Sequence, residues 1–225
     1  MSFLADVVHF LTTSAHWWGT EGILHRSQDH LLMSAAALVT AMVIALPLGL
    51  VLGHTGRGGF VAINLSNLGR AVPSFAIIVL MASIVGIGAE PAYVALVALA
   101  VPPMVTNAYT AIRGVDDEVK ESATGMGLTG LQVLRRVEVP MGLPLIMAGV
   151  RTSGVQVVAT ATLAALVGWG GLGRYIVDGI ATRNFVSVFV GALLVAALSL
   201  ATEAGLAALQ RAVVPRGLVV APEID

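Results

Sequence analysis

No cysteine occurs in the chain. Disulfides, thiolate metal sites and cysteine nucleophiles are therefore excluded. Lysine is nearly absent: Lys120 is the only one, and Val119 precedes it. A phosphate-binding P-loop needs a lysine directly after a glycine-rich turn. The chain thus carries no standard nucleotide-hydrolysing site, and no enzyme chemistry is expected of it. Charge is scarce as well. Charged residues make up 11% of the sequence, against roughly 25% in soluble domains. A net charge of −1 gives no reason to expect a nucleic-acid partner. What fills the chain is apolar: 57% of its 225 residues are hydrophobic, and the mean hydropathy is +0.90. Most of this surface is not made for water.

A helix that crosses a bilayer needs about 20 mostly apolar residues. Five stretches qualify, over about residues 31–53, 71–88 (extendable back to 60), 92–112, 143–167 and 185–209. The expected fold is all-α and integral to the membrane, with five transmembrane helices. One long polar loop, 114–139, interrupts them. With that loop in the cytoplasm, the inner side receives Arg57, Arg70, Arg113, Lys120, Arg135, Arg136, Arg151, Arg211 and Arg216. The outer side receives only Arg26, Arg174 and Arg183. This imbalance predicts the N-terminus outside and the C-terminus inside.

Three regions follow: an interfacial segment over 1–30, a transmembrane domain over 31–212, and a cytoplasmic tail over 213–225, expected to be disordered. In the first, Phe3, Leu4, Val7, Val8, Phe10 and Leu11 share one helical face. Asp6 and His9 break the run and argue against a secretory signal. An amphipathic helix lying on the membrane is expected, with Trp17 and Trp18 at headgroup level. Gly49 with Gly53, and Ala161 with Ala165, form small-xxx-small pairs that let helices approach. Pro102 and Pro103 are expected to kink the third span.

Gly168, Gly170 and Gly173 match G-x-G-x-x-G, but a membrane helix precedes them where dinucleotide binding needs a strand. A flexible turn at the membrane surface is the expectation. The five histidines show no metal-ligand spacing.

The polar loop is the most informative segment. Asp116, Asp117 and Glu118 suit the start of a short helix. Gly125 and Gly127 suit its end. Thr129 can cap a second short helix, in which Leu131, Leu134 and Val137 recur every three residues. Pro140 is expected to stop this segment before the fourth span. Met126, Leu128, Leu131 and Leu134 would form an apolar patch outside the membrane, suited either to a partner or to the helix ends.

The loop reads Glu121-Ser122-Ala123, three residues, Gly127, nine residues, then Val137-x-Val139-Pro140. It resembles the EAA loop of ABC importer permeases, E-A-A-x3-G-x9-I-x-L-P, with every spacing kept. Ser122, Val137 and Val139 are its departures. Residues 159–180, Val72-Pro73-Ser74-Phe75 and Pro102-Pro103-Met104-Val105-Thr106-Asn107 resemble permeases for glycine betaine, carnitine, choline or proline. The resemblance covers most of residues 31–212. It implies a type I importer fold of the methionine-permease kind, in the bacterial cytoplasmic membrane.

The resemblance also implies partners. Glu121, Ser122, Ala123, Gly127, Leu131 and Pro140 would form the loop that couples to separate ABC ATPase subunits. Those subunits would bind ATP and Mg, so this chain would hold no cofactor. An extracytoplasmic binding protein would deliver the solute. A second permease, either an identical copy or a similar second chain, would complete the pathway, and the resemblance favours the heterodimer. Thr106, Asn107, Tyr109, Gln156, Thr160 and Thr162 are the polar residues at membrane depth. They suit either the solute route or hydrogen bonds between helices. The rival readings are a same-fold permease for methionine or another amino acid, and a secondary transporter or channel.

Overall fold

A computed structural model describes residues 2–60, 64 and 72–215. Among them are helices α1 (Phe3–Thr12), α2 (Ile23–Thr55), α3 (Ser74–Val85), α4 (Ala89–Arg113), α5 (Asp117–Gly125), α6 (Gly130–Val133), α7 (Val139–Thr160), α8 (Gly173–Ala181) and α9 (Phe185–Val213). A π-helical turn, Leu134–Glu138, joins α6 to α7, and a 3-10 segment, Ala161–Val167, follows α7.

Among the described residues, four helical runs are long and apolar enough to cross a membrane: Ile23–Thr55, Ala89–Arg113, Gly130–Val167 and Phe185–Val213. They contain the first, third, fourth and fifth expected spans. The first begins eight residues earlier than the expected Leu31, so the membrane helix starts inside the segment assigned to the interface. The second expected span is represented by α3, which has 12 residues. At 1.5 Å per residue that is only about 18 Å, short of the ~30 Å hydrocarbon core. Residues 65–71, including Arg70 and Ala71, lie outside the described set, as does the tail from Arg216.

α2 and α9 bury little of their apolar surface, whereas α4 and the Gly130–Val167 run are about half buried. Leu32, Val39, Val43 and Val51 on α2, and Phe185, Leu193 and Leu200 on α9, are exposed. Such continuous apolar faces suit hydrocarbon, not water.

The chain packs as two compact units. The first holds the described residues of Met1–Thr40, Val72–Ala100 and Gly154–Glu203. Its core joins Ile78, Ala92, Ala95, Ala164 and Val167. His30 is fully buried there, with Nε2 2.8 Å from the Val158 carbonyl. The Tyr93 and Thr40 hydroxyls pair at 2.6 Å. The expected helix α1 is present, held by Phe3 edge-on to Phe189 and Phe10 edge-on to Tyr175. Trp17 Nε1 donates to the Leu11 carbonyl at 2.7 Å, while Trp18 is largely exposed.

The glycine turn in this unit follows a course that needs its glycines. Gly168 and Gly171 take φ of +82° and +76°, and the Gly88 N–H donates to the Val167 carbonyl at 2.8 Å. A Cβ at Gly173 would run into the Thr162 carbonyl. Gly173 opens α8, a helix not anticipated from the sequence.

The second unit holds the described residues of Ala41–Ala71, Val101–Ser153 and Ala204–Asp225. Ala108, Ala111 and Ile146 form its core, flanked by Leu46 and Leu50. The Gly49/Gly53 pair packs α2 onto α4. A Cβ at Gly49 would stand 2.6 Å from Ala108 Cβ, and one at Gly53 2.7 Å from Ile112 Cβ. The pair is used for packing within the chain. Gln210 ties α9 to α7: Arg151 donates to its Oε1 at 2.7 Å, and its Nε2 donates to the Pro144 carbonyl at 3.3 Å. α4 runs unbroken through Pro102 and Pro103.

Candidate functional site

The polar loop lies wholly in the second unit and folds as the two short helices expected. Asp116 caps α5, its Oδ1 accepting from the Glu118 N–H at 2.8 Å. Asp117 and Glu118 occupy the first turn, where the helix dipole favours negative charge. Lys120 Nζ lies 3.0 Å from Asp117 Oδ1. This hydrogen bond, with the charge of the lysine behind it, holds the Asp117 carboxyl below its ordinary range.

α5 ends in a Schellman motif. The Leu128 N–H donates to the Ala123 carbonyl at 3.2 Å, and the Gly127 N–H to the Thr124 carbonyl at 2.9 Å. Gly127 sits at the left-handed position, φ +90°, where side-chain-bearing residues are strained. The spacing between Ala123 and Gly127 thus has a local cause: one starts the last turn and the other reverses the chain. Across the turn, the Thr129 N–H donates to Gln132 Oε1 at 2.8 Å, closing the start of α6.

Burial sorts the loop residues. Glu121 and Ser122 are exposed, and so are Met126 (76%) and Leu131 (56%). Ala123 is 3% exposed. It faces the protein rather than outward, so its small size seats α5 instead of serving an outer contact. The apolar stripe is likewise split: Leu131 is exposed, while Leu134 and Val137 are half-buried.

Pro140 does not stop the segment. The chain passes through it as continuous helix from the π turn into α7. Proline lacks an N–H, and its ring conflicts with the carbonyl four residues back, that of Arg136. The ladder widens just before it, with the Val139 N–H reaching the Leu134 carbonyl. A π turn of this kind accommodates one extra residue within a helix.

The six polar residues at depth do not form one cluster within a single unit. Thr106, Asn107 and Tyr109 belong to the second, and Gln156, Thr160 and Thr162 to the first. Asn107 Nδ2 donates to the Pro103 carbonyl at 2.8 Å, and Gly149 packs closely on its side chain. Thr162 Oγ1 donates to the Ala159 carbonyl at 2.8 Å. Tyr109 lies against Gly53 and Gly59. For Asn107 and Thr162 these bonds go to a carbonyl three or four residues back along the same stretch of chain.

Sequence reasoning missed His54 and Glu138. Glu138 is 2% exposed, and its Oε2 lies 2.6 Å from His54 Nδ1. The available signals were an acid inside the apolar run Val137-Glu138-Val139 and a histidine closing a long apolar helix.

Comparison with known proteins agrees with this geometry. Residues 45–215 match the family described as "Binding-protein-dependent transport system inner membrane component". The chain belongs to this family. It is a multi-pass inner-membrane permease of an ABC transport system, without a catalytic role of its own. The glycine betaine/carnitine/choline transport system permease protein OpuCB of Bacillus subtilis (strain 168) is 38% identical over 196 residues, 87% of this permease and 90% of that protein. OpuCD, named for the same transport system in the same organism, is 31% identical over 194 residues, 86% and 85% of the two chains. Among solved structures, a chain of the inward-facing MetNI methionine ABC transporter aligns with a TM-score of 0.74 at 24% identity. It covers 86% of this permease and 96% of that chain. That likeness concerns the fold.

Proposed function

We propose that this permease imports quaternary-ammonium osmoprotectants of the glycine betaine, carnitine and choline type, driven by a separate ATPase. The observation that supports the substrate class is the 38% identity to OpuCB across nearly the whole of both chains. Five spans are the proposed topology, with α3 and the residues before it forming the second. The N-terminus lies outside and the C-terminus inside, as the arginine distribution favours. Residues 1–30 contribute the outer segment and the start of the first span, 31–212 the transmembrane domain, and 213–225 the inner tail.

In this reading α5 and α6 are the contact with the ATPase. Glu121, Ser122, Met126 and Leu131 present the outer surface, Ala123 seats the helix from within, and Gly127 fixes the reversal between the two helices. Pro140 sets the π turn through which the loop enters α7. ATP and Mg reside in the ATPase. Closure of two ATPases moves the loops, and the helices switch as rigid bodies between two states of access. A binding protein delivers the solute. A second permease completes the route; the pair OpuCB and OpuCD in one organism favours a heterodimer. Thr106, Tyr109, Gln156 and Thr160 are the polar residues proposed to line the route. Asn107 and Thr162 are secondary, since their side chains already serve their own helices.

The test is ATP-dependent glycine betaine uptake into vesicles holding the complete transporter, with the native permease and with Gly127→Asp. Loss of uptake in an assembled variant is expected. Equal uptake in both would remove the coupling role. ATP hydrolysis without uptake of betaine, carnitine or choline would remove the osmoprotectant reading alone.

A further inference from the structure

Glu138 stands out in the second unit. It is almost fully buried, it is charged in its ordinary state, and it sits on the last residue of the π turn. The extra residue of a π turn rotates everything after it by about 100° relative to a regular α-helix. Pro140 follows two residues later, and the π turn carries the helix continuously up to it, so the acid sits where the turn is irregular. Buried carboxylates are retained only when paired. The partner is His54, on the last turn of α2, whose Nδ1 lies 2.6 Å from Glu138 Oε2.

The imidazole also lies close beside the start of the same helical run. A Cβ at Gly130, the first residue of α6, would stand 3.3 Å from His54 Nε2. The ring therefore fills the space between the start of α6 and the end of the π turn. α6, in turn, follows directly from the Schellman turn that closes α5. A push on α5 or α6 meets α2 through this ring, by a hydrogen bond on one side and by contact on the other.

We infer that the His54–Glu138 pair is the joint that carries displacement of the α5–α6 loop into α2. His54 and Glu138 act as positioning residues, and the inference rests on the reading of that loop as the ATPase contact. Without the pair, the loop can move on the ATPase while α2 lags. ATP hydrolysis then continues and transport does not follow it.

The experiment uses the complete transporter in proteoliposomes, with ATP hydrolysed per glycine betaine imported as the readout. Glu138→Ala and His54→Ala are expected to raise that ratio roughly five- to tenfold, the low end of typical coupling between sites. Glu138→Gln keeps an acceptor for Nδ1 and is expected to stay near the native ratio. A purely structural role would lower the amount of assembled complex and leave the ratio per complex unchanged. If Glu138→Ala does not assemble, the double variant His54→Leu/Glu138→Leu removes both polar groups together and leaves none stranded. A raised ratio in it sustains the joint. A native ratio in any assembled variant lacking the pair overturns it. Because the chain lacks cysteine, Ser122→Cys provides a single cross-linking site to the ATPase. Absence of that cross-link would overturn the loop contact itself, whereas a cross-link with a native ratio would overturn only the joint.

Discussion

Gly125 and Gly127 lie two residues apart, and their replacement by alanine should move the loop in opposite directions. A Cβ at either position meets nothing within 4 Å. Packing therefore drops out, and only backbone terms remain. Gly127 has φ +90°, where an alanine Cβ crowds its own carbonyl at a cost of about 1–2 kcal/mol. Gly125 is the last residue of α5. Alanine there restricts the unfolded segment and favours the helix by about 0.5–1 kcal/mol. Because the Schellman bonds of Leu128 and Gly127 close only when the turn forms, amide exchange reports the difference. Protection over 117–131, measured by hydrogen exchange and mass spectrometry on the assembled transporter, should fall roughly 5- to 30-fold in Gly127→Ala, which is 1–2 kcal/mol at 25 °C. It should rise by about two- to fivefold in Gly125→Ala. Equal shifts of one sign in both variants would refute the argument that conformation, rather than contact, fixes the glycine of this motif.

Gly49→Val and Gly53→Val should each lower thermal stability in detergent. Their side chains would enter space held by Ala108 and Ile112, at about 1–3 kcal/mol for overpacking; Gly205→Ala, facing open space on α9, should not. Burial raises the Tyr175 hydroxyl above its ordinary range, and that hydroxyl donates to the Glu21 carbonyl at 2.7 Å. The folded state thus holds this proton longer than the unfolded one. Its stabilising effect is complete below the ordinary tyrosine range and is lost as pH rises through the raised value. The ultraviolet tyrosinate signal removed by Tyr175→Phe should appear at higher pH in native protein than after unfolding. For Asp117 the sign is opposite: Lys120 holds its carboxyl low, and the contribution is lost as pH falls through that lowered value. In Lys120→Met, acid should therefore loosen the start of α5 at higher pH than in the native chain, as read by amide exchange.

Much of the architecture was legible because apolar length is a one-dimensional property. The long runs expected at 31–53, 92–112 and 185–209 announce themselves by composition, and the starts of α5 and α6 by the acids from Asp116 and by Thr129. The boundaries were less legible. α2 begins earlier than expected and runs through His25, Arg26, Asp29 and His30, polar residues that hydropathy takes as the end of a span. Here His25 pairs with Asp29, and His30 Nε2 is held 2.8 Å from the Val158 carbonyl. Partners more than a hundred residues away cannot be read from a local window. The same holds for Pro140, where proline signalled a break and the π turn absorbed it. The loop motif showed which residues matter but not which way they face. Burial of Ala123 and exposure of Met126 depend on how α5 seats in its unit, and His54 joins the site only through tertiary packing.

Import is read by ATP-driven uptake of radiolabelled glycine betaine into proteoliposomes holding this permease, its partner permease, the ATPase and the binding protein. Accumulation should require both ATP and the binding protein and should be abolished in assembled Gly127→Asp transporter. Accumulation without ATP, or undiminished by Gly127→Asp, would contradict this expectation.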